Sequence, residues 1–252
     1  MDERAIAALM REGERLDDLQ RGGLRILQRP DGFRFGTDAV LLADFANVRR
    51  GERVCDVGTG TGVLPLLLSA RAEDTTFTAF EIQPEVADMA QRSVEINGLQ
   101  ARIRILCADC REAAALIGHE GHDLLVTNPP YTAQGAGLVS PEKTRALSRS
   151  DSEATLEQWM AACSRLLKNG GRLCCVFPAP RFLQLCDAMR GGKVEPKRVR
   201  FVCARADAAP KLVLVEGLKG GRPGLHVQPM LITHDEQGGF TPEMRRIYGE
   251  EA

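Results

Sequence analysis

Short apolar runs rich in β-branched residues alternate with longer stretches of helical period through the middle of the chain. This alternation is typical of a parallel sheet whose strands are joined by crossover helices, and it predicts an α/β fold. The predicted strands span residues 53–57, 76–81, 102–107, 123–127 and 172–177. The predicted helices between them span residues 63–70, 84–97 and 154–168.

The flanking regions add elements at both sides of this pattern. After a further helical stretch at 181–190, two β-rich runs at 198–204 and 211–216 predict an antiparallel hairpin that completes a mostly parallel sheet. Residues 39–45 look helical, and Pro30, Gly32 and Gly36 indicate a loop before them. No repeat or low-complexity linker interrupts the chain, so we expect one structural domain, with residues 1–50 as an N-terminal extension packed on a core of residues 51–252.

Composition supports a folded, enzyme-sized protein. Of the 252 residues, 44% are hydrophobic and 27% are charged, which argues against a disordered or fibrous chain. The net charge is −1, so any nucleic-acid partner must be bound by a local basic patch. No stretch approaches about 18 apolar residues, and charges occupy the N-terminus where a signal peptide is apolar. We therefore expect a cytoplasmic protein without a membrane partner.

Eight cysteines are spread through mostly apolar segments, and we expect them to be reduced core thiols. Cys107 and Cys110 form a CxxC pair, which could be redox-active or half of a zinc site. No second CxxC or HxxxH pattern accompanies the pair, and the four histidines are dispersed. The sequence therefore predicts no metal site.

A glycine-rich turn follows the first predicted core strand. Asp56 lies at the strand end, and Gly58, Gly60 and Gly62 come after it. Glycines there let the backbone turn sharply from strand to helix and admit a ligand against bare main chain. A glycine triplet alone would equally suit a dinucleotide-binding fold.

Acidic residues also follow the next two strands. Glu81 ends the second strand, where a carboxylate can accept hydrogen bonds from both hydroxyls of a ribose. Asp109 follows the third strand, where it could accept a hydrogen bond from an adenine amino group or cap the following helix. Together with the glycine turn, the acids predict a nucleoside pocket along one edge of the sheet.

The turn Asn128-Pro129-Pro130-Tyr131 directly follows the fourth predicted strand. Two prolines stiffen it, so the Asn128 amide oxygen and the Pro129 carbonyl can be held as acceptors. Two acceptors that bind the protons of a planar amino group favour its pyramidal, nucleophilic form. Tyr131 could stack on the ring that carries the amino group. The alternative is a plain proline turn with Asn128 as a cap.

These residues resemble the class I S-adenosylmethionine-dependent methyltransferases that act on amino groups. The segments GGLRILQRPDGFRFGTDAVLLADFA, DVGTGTG, EIQPEVADMAQRSVEINGL, NPPY and LVEGLKGGRPGLHVQPMLITHDEQGGFTPEMRRIYG are similar to the bacterial tRNA1(Val) (adenine-37-N6) methyltransferase family over about residues 17–249. The resemblance implies a Rossmann-like class I sheet with helices on both faces, with residues 51–252 as the methyltransferase domain. It also implies S-adenosylmethionine as cofactor and the N6 of adenine 37, in the anticodon loop of tRNA(Val), as acceptor.

The resemblance also assigns roles to individual positions. It implies that the cofactor is bound by Thr37, Asp38, Asp56, Gly58, Gly60, Gly62, Glu81, Asp109, Cys110 and Asn128. Thr37 and Asp38 would approach the methionyl amine and carboxylate, and Asp109 and Cys110 would flank the adenine. The target base would be held by Asn128, Pro129 and Tyr131. The chain departs from the family after this turn, since RALSRSDSEATLEQW replaces an Ala-Arg-His-Glu stretch of which Arg149 and Glu153 are the remnants.

Two groups of basic residues are candidate RNA contacts. One group could form a phosphate-facing strip or simply the solvated faces of edge strands: Lys193, Lys197, Arg198, Arg200, Arg205, Lys211, Lys219 and Arg222. The other follows the proline turn: Lys143, Arg145 and Arg149.

Three other functions remain open from the sequence. A release-factor glutamine methyltransferase uses a similar turn and fold, but it would carry a separate N-terminal helical domain for which about 50 residues are too few. The other two are an amino-methyltransferase acting on a different RNA or DNA and a cofactor-binding module without catalysis.

Overall fold

A computed structural model describes residues 2–30, 36–130 and 154–250 of the chain. The strands are β1 (Arg15–Asp18), β2 (Arg25–Gln28), β3 (Arg53–Val57), β4 (Thr76–Glu81), β5 (Ile103–Cys107), β6 (His122–Thr127), β7 (Leu167–Pro178), β8 (Val194–Cys203), β9 (Leu212–Lys219), β10 (His226–Val227) and β11 (Leu231–Ile232). The helices are α1 (Glu3–Leu9), α2 (Thr37–Phe45), α3 (Val63–Ser69), α4 (Pro84–Ile96), α5 (Ala113–Ile117), α6 (Leu156–Leu166), α7 (Phe182–Gly191) and α8 (Pro242–Tyr248), with a 3₁₀ helix at Ala179–Arg181.

Strands β3 to β11 form one sheet in the order β10-β8-β9-β7-β6-β3-β4-β5, and β11 also pairs with β8. Five adjacent strands of this sheet are mutually parallel: β7, β6, β3, β4 and β5. β9 lies between β7 and β8 and runs antiparallel to both. This arrangement confirms the predicted mostly parallel sheet completed by an antiparallel hairpin.

The central strands match the ranges predicted from the sequence pattern. One strand begins earlier than predicted, and several short elements were not predicted. β3 and β4 match the predicted ranges, whereas β7 starts at Leu167, five residues before the predicted strand. The pairing of β6 with β7 shifts register between His122, which pairs with Leu167, and Leu124, which pairs with Arg172. The polar residues of β7 at this shift interrupt its apolar run, so the sequence pattern indicated a later start. The prediction also lacked α1, β1, β2, α5, β10, β11 and α8, which are too short for periodicity to indicate.

Helices cover both faces of the sheet, as predicted. Successive β3 residues alternate between the faces, so Val54 packs in one core cluster and Cys55 in the other. The cluster around Val54 includes buried residues of α2, α3, α4 and α8. The cluster around Cys55 includes buried residues of α5, α6 and α7. All seven residues of α3 are buried, because α2 packs against it on the same face.

The β1–β2 hairpin packs on α4. Leu27 is fully buried in a small cluster with residues of α1 and α4, and its N–H donates to the Ser93 hydroxyl at 3.0 Å. The Asn97 side chain bonds to both backbone groups of Arg25, accepting at 2.9 Å and donating at 2.6 Å. Side chains of α4 thus satisfy backbone groups of β2. The division of the chain at residue 50 stays a prediction.

Two arginines of the sheet hold the carboxyl end of α2. The last carbonyls of a helix have no partner within the helix and need donors from elsewhere. Arg172 of β7 donates to the carbonyl of Ala46 at 3.0 Å and to that of Asn47 at 3.4 Å. Arg198 of β8 donates to the Phe45 carbonyl at 2.7 Å, and its guanidinium lies 3.9 Å from the centre of the Phe45 ring. The helix is thereby fixed against the antiparallel side of the sheet.

Replacing Arg172 with alanine should lower the free energy of unfolding by about 3–5 kcal/mol, because the largely buried Glu52 would lose its cation and Glu216 would keep only Arg198. Urea unfolding followed by circular dichroism measures the loss. The matched control is Arg50→Ala, which removes an exposed ion pair with Asp74 and should have little effect. Equal losses in the two variants would contradict this account of Arg172.

Candidate active site

The carboxyl ends of four parallel strands lie level at one edge of the sheet. Val57 at the end of β3 pairs with Phe80 of β4 and with Thr127 at the end of β6. Glu81 at the end of β4 pairs with Cys107 at the end of β5. The glycine turn, the residues after Glu81 and the proline turn therefore start from the same edge, which is where open α/β sheets bind ligands.

The glycine turn folds back toward β4. The N–H groups of Gly58 and Thr59 both donate to the Phe80 carbonyl at 2.9 Å. Gly58 has φ +77°, and a Cβ added there would lie 3.0 Å from ring carbons of Trp159. Both its backbone conformation and its neighbour therefore exclude a side chain at this position. Gly60 and Gly62 also have positive φ angles, of +58° and +89°.

The Glu81 side chain is held in one orientation by two backbone N–H groups. One carboxylate oxygen accepts from Gly60 and the other from Gln83, each at 3.0 Å. The side chain is buried, which raises the pKa of its carboxyl. Each oxygen keeps further acceptor capacity, so this carboxylate can serve as the predicted acceptor for two ribose hydroxyls.

Asp56 and two neighbouring threonines are buried polar residues at the glycine turn. Within the described residues, neither Asp56 oxygen has a hydrogen-bond partner, and the same holds for the hydroxyls of Thr59 and Thr61. Burial raises the pKa of Asp56 to about 7, and the negative charge of Glu81 adds to the shift. The nearby Thr59 hydroxyl lowers the pKa of Asp56, although the two side chains do not form a hydrogen bond of regular geometry. Unpaired buried groups of this kind destabilise a fold and suit a cationic ligand that donates hydrogen bonds.

The Asp109 carboxylate forms hydrogen bonds within its own turn. Its carboxylate accepts the N–H of Arg111 at 2.8 Å and the Nε–H of the same residue at 3.0 Å. The Arg111 guanidinium lowers the pKa of Asp109, so the carboxylate is ionised. The turn-capping role and an acceptor role toward adenine are compatible, because each carboxylate oxygen can accept more than one hydrogen bond. Its contact with adenine stays a prediction.

All eight cysteines are free thiols, and all except Cys107 are buried. Cys110 packs in the core cluster beneath the site, and burial raises the pKa of its thiol to about 12. A thiol with that pKa stays protonated and acts as a packing group. Among the described residues no three His, Cys, Asp or Glu side chains come together as a metal site would require.

Asn128 and Asp38 meet across the mouth of the site. The Asn128 Nδ2 donates to the Asp38 carboxylate at 3.0 Å, and Pro129 beside it is buried. The resemblance places Asp38 against the methionyl amine of the cofactor, and that contact stays a prediction; in the structure the Asp38 carboxylate contacts the proline turn. That contact joins residues 90 positions apart and has no local signal in the sequence.

Thr37, the neighbour of Asp38, contacts the C-terminal helix. The Tyr248 hydroxyl donates to Thr37 Oγ1 at 3.1 Å, and the Tyr248 ring stacks on Phe240 with 5.1 Å between ring centres. The contact with the cofactor predicted for Thr37 stays a prediction. Tyr131 lies outside the described residues, so its stacking role also stays a prediction. The same holds for the other candidates in that segment: Lys143, Arg145, Arg149 and Glu153.

Sequence reasoning missed Trp159, the chain's single tryptophan. This half-buried residue of α6 donates its indole N–H to Thr127 Oγ1 at 2.9 Å, and the Thr127 hydroxyl donates to the Val57 carbonyl at 2.8 Å. Because its ring also lies against Gly58, it connects the glycine turn to the strand that leads into the proline turn. The only sequence signal for this role of Trp159 was that the single tryptophan of the chain follows the proline turn.

Ile82 is a second residue that the sequence analysis left out. It directly follows Glu81, and 48% of its surface is exposed. A large apolar side chain in water beside a fixed acceptor provides a surface for a flat apolar group such as a purine ring. The sequence signal for this role of Ile82 was its position as an apolar residue directly after Glu81 at the end of a strand.

The proposed basic strip is divided between opposite edges of the sheet. Lys193 precedes β8 and Lys219 ends the antiparallel β9, so both lie at the edge away from the glycine turn. Arg205 follows β8 and Lys211 precedes β9, which places these two at the active-site edge. Two further members of the strip are engaged in ion pairs with glutamates: Arg198 and Arg200. These eight basic residues therefore do not form one continuous strip, and their contact with RNA stays a prediction.

In the part of the chain that the structure describes, no helix has the length and apolar character needed to span a membrane.

Solved structures share this fold. A protein from Agrobacterium tumefaciens described as a predicted O-methyltransferase superposes with a TM-score of 0.69 and 26% identity, covering 85% of this chain and 97% of its own. The Thermus thermophilus 16S rRNA N2 G1207 methyltransferase, in complex with AdoMet and guanosine, has a TM-score of 0.59 and 19% identity, covering 83% of this chain and 51% of its own. The predicted Rossmann-like class I methyltransferase fold is confirmed.

Comparison of sequences narrows the class of methyltransferase to which the chain belongs. The profile of the family "Methyltransferase small domain" matches residues 31–192, so the protein is an S-adenosylmethionine-dependent methyltransferase. A tRNA1(Val) (adenine(37)-N6)-methyltransferase from Tolumonas auensis is 31% identical over 217 residues, 85% of this chain and 88% of the relative. A relative of the same name from Porphyromonas gingivalis is 29% identical over 223 residues, 85% of this chain and 86% of its own. The chain belongs to the tRNA1(Val) (adenine(37)-N6)-methyltransferase family.

The affinity for S-adenosylmethionine should fall as the pH drops below about 7, because Asp56 must be ionised to meet a positively charged ligand. The Kd measured by calorimetry should rise up to about tenfold per pH unit between pH 7 and 5. In the free protein the raised pKa has the opposite effect on folding: its stabilising contribution is complete below 3.8 and is lost as the pH rises through about 7. The control Asp56→Asn should bind with a flatter pH profile, and identical profiles for the two proteins would contradict this role.

Cofactor binding should change the intrinsic tryptophan fluorescence, since the single indole lies against Gly58 in the glycine turn. Titration with S-adenosylmethionine should give a saturable change with the Kd found by calorimetry. Trp159→Phe should abolish the signal and also weaken binding, because the hydrogen bond to Thr127 is lost. A wild-type emission that does not respond to saturating cofactor would count against contact between this side chain and the cofactor turn.

Proposed function

We propose that the protein transfers a methyl group from S-adenosylmethionine to the N6 of adenine 37 in the anticodon loop of tRNA(Val). The observation that carries the proposal is the position of the Asn128-Pro129 turn at the end of β6, directly beside the strand that leads into the glycine turn. An acceptor pair for a planar amino group thus adjoins a pocket suited to the methyl donor. The names of the relatives support the same nucleotide.

The residues of the pocket fit S-adenosylmethionine. Glu81 presents two oriented oxygens for the ribose hydroxyls, and Ile82 offers an apolar surface for the adenine. The unpaired carboxylate of Asp56 and the hydroxyls of Thr59 and Thr61 suit the charged, hydrogen-bonding methionine portion. When bound, S-adenosylmethionine supplies a methyl carbon attached to a positively charged sulfur.

The proline turn would prepare the acceptor nitrogen. In adenine the N6 lone pair is delocalised into the ring, and hydrogen bonds from its two protons to Asn128 Oδ1 and the Pro129 carbonyl favour the pyramidal form. The lone pair would then form the N–C bond while the electron pair of the C–S bond would leave with sulfur as a neutral thioether. The alkylated nitrogen would lose a proton to water. Positioning at about 3–3.5 Å and stabilisation of the developing charge are the protein's contributions.

An anticodon loop is a suitable partner for this site. Its bases are unpaired, so moving one into a pocket costs less than extruding a base from a duplex. Arg205 and Lys211 at the active-site edge could contact the RNA backbone. A hydroxyl acceptor, as in an O-methyltransferase, has only one proton and would leave one of the two acceptors of the proline turn unused. A glutamine side chain has the required amide, so a release factor belongs in the test.

Asn128→Ala should reduce single-turnover methylation of a tRNA(Val) transcript by about 100-fold or more, because one of the two acceptors is lost. The Kd for S-adenosylmethionine should stay within about threefold of wild type. Transfer of a radiolabelled methyl group measures the rate, and a transcript with guanine at position 37 is the matched substrate control.

The second half of this experiment tests the substrate. The wild-type protein should label the adenine-37 transcript and neither the guanine-37 transcript nor a peptide release factor. Labelling of the release factor alone would favour the glutamine alternative. A near-normal rate for Asn128→Ala on tRNA would show that the proline turn does not hold the acceptor.

A further inference from the structure

The contact between Asp38 and Asn128 fixes which end of the asparagine amide faces Asp38. The carboxylate of Asp38 offers only acceptor atoms, so the amide must present its NH₂ group to it, and the two groups are 3.0 Å apart. The amide oxygen is therefore the end directed away from Asp38. That orientation is the one an acceptor for the adenine amino group requires.

Asp38 is itself fixed by the first turn of α2. One carboxylate oxygen accepts the N–H of Ala39 at 3.0 Å, and the other receives the Asn128 amide. A Cβ at Gly36 would lie 2.8 Å from the first oxygen, so glycine at that position leaves room for this side-chain conformation. Because α2 is buried along most of its length and held at its carboxyl end by Arg172 and Arg198, Asp38 approaches from a rigid support.

The carboxylate also acts on the electronic state of the amide. An N–H that donates to a charged acceptor forms a strong hydrogen bond, and chains of hydrogen bonds polarise one another. Negative charge at Asp38 draws the Asn128 amide toward the form with more negative charge on oxygen. The oxygen then binds more strongly as the acceptor nitrogen becomes positive in the transition state.

We propose that Asp38 is a positioning residue for methyl transfer, which acts through Asn128 by orienting and polarising its amide. The inference rests on the proposed function for the acceptor chemistry. It differs from the expectation that Asp38 binds the methionyl amine of the cofactor. The two roles separate cleanly, because a residue that acts through Asn128 affects the rate at saturating cofactor, whereas an amine contact affects cofactor affinity.

Single substitutions give the first test. Asp38→Ala should lower the single-turnover rate at saturating cofactor by about 10- to 100-fold. The Kd for S-adenosylmethionine should stay within about threefold of wild type. Asp38→Asn keeps an oxygen that can accept from Asn128 but loses the negative charge, so it should recover only part of the rate; it also serves if the alanine variant folds poorly. A loss of cofactor affinity with a normal saturated rate in both variants would overturn the inference.

A double-mutant cycle gives the second test. If Asp38 acts only through Asn128, adding Asp38→Ala to Asn128→Ala should cause no further loss of rate. Losses that multiply would show that Asp38 contributes independently and would overturn the inference. The matched control is Asp44→Asn on the same helix, which pairs with Arg71 and should leave both rate and affinity unchanged.

The choice of substrate separates this inference from the proposed function. Rates are measured on whichever acceptor the wild-type protein methylates, the tRNA(Val) transcript or the release factor, since both present a planar nitrogen. Failure of the wild type to methylate adenine would overturn the proposed function. A normal rate for Asp38→Ala on the accepted substrate would overturn the role of Asp38 alone.

Discussion

Helix α2 is the support on which the candidate site depends. Its carboxyl end is held by two arginines of the sheet, its middle is buried against α3, and its first turn delivers Asp38 to the proline turn. The arginines satisfy carbonyls that would otherwise lie unpaired at a helix end. A helix fixed at both ends transmits the position of the sheet to a side chain at its tip. Helix α2 therefore contacts the proline turn as well as packing on the sheet.

The sequence was sufficient for features that depend on periodicity and local turns. The central strands, the order of their turns and the edge at which Asp56, Glu81 and Asn128 gather follow from apolar runs and the geometry of parallel strands. The role of Trp159 and the contact between Asp38 and Asn128 could not be predicted in this way. Both depend on pairings between residues 32 and 90 positions apart, which leave no regular spacing in the chain.

The basic strip shows a different limit of sequence reasoning. The sequence left open whether these residues form one phosphate-facing surface, and β8 and β9 run in opposite directions across the sheet. Neighbouring strand ends therefore place Lys193 and Lys219 at one edge and Arg205 and Lys211 at the other. Charge clusters in a sequence become surfaces only after the direction of each strand is known.

The site also concentrates groups that destabilise the fold. Asp56 and two threonine hydroxyls are buried and have no hydrogen-bond partner in the described part of the chain, and Gly58 has a positive φ next to an aromatic ring. Such features are expected where a ligand completes the hydrogen bonding, because binding then offsets a cost already present in the free protein.

The bond between Tyr248 and Thr37 joins positions 211 residues apart in the chain. The buried residues of α8 share a core cluster with α2, so the first turn of α2 acquires its final neighbours only after α8 has been synthesised and has docked. Thr37 and Asp38 therefore gain their complete surroundings only when two segments that lie far apart in the chain have folded together.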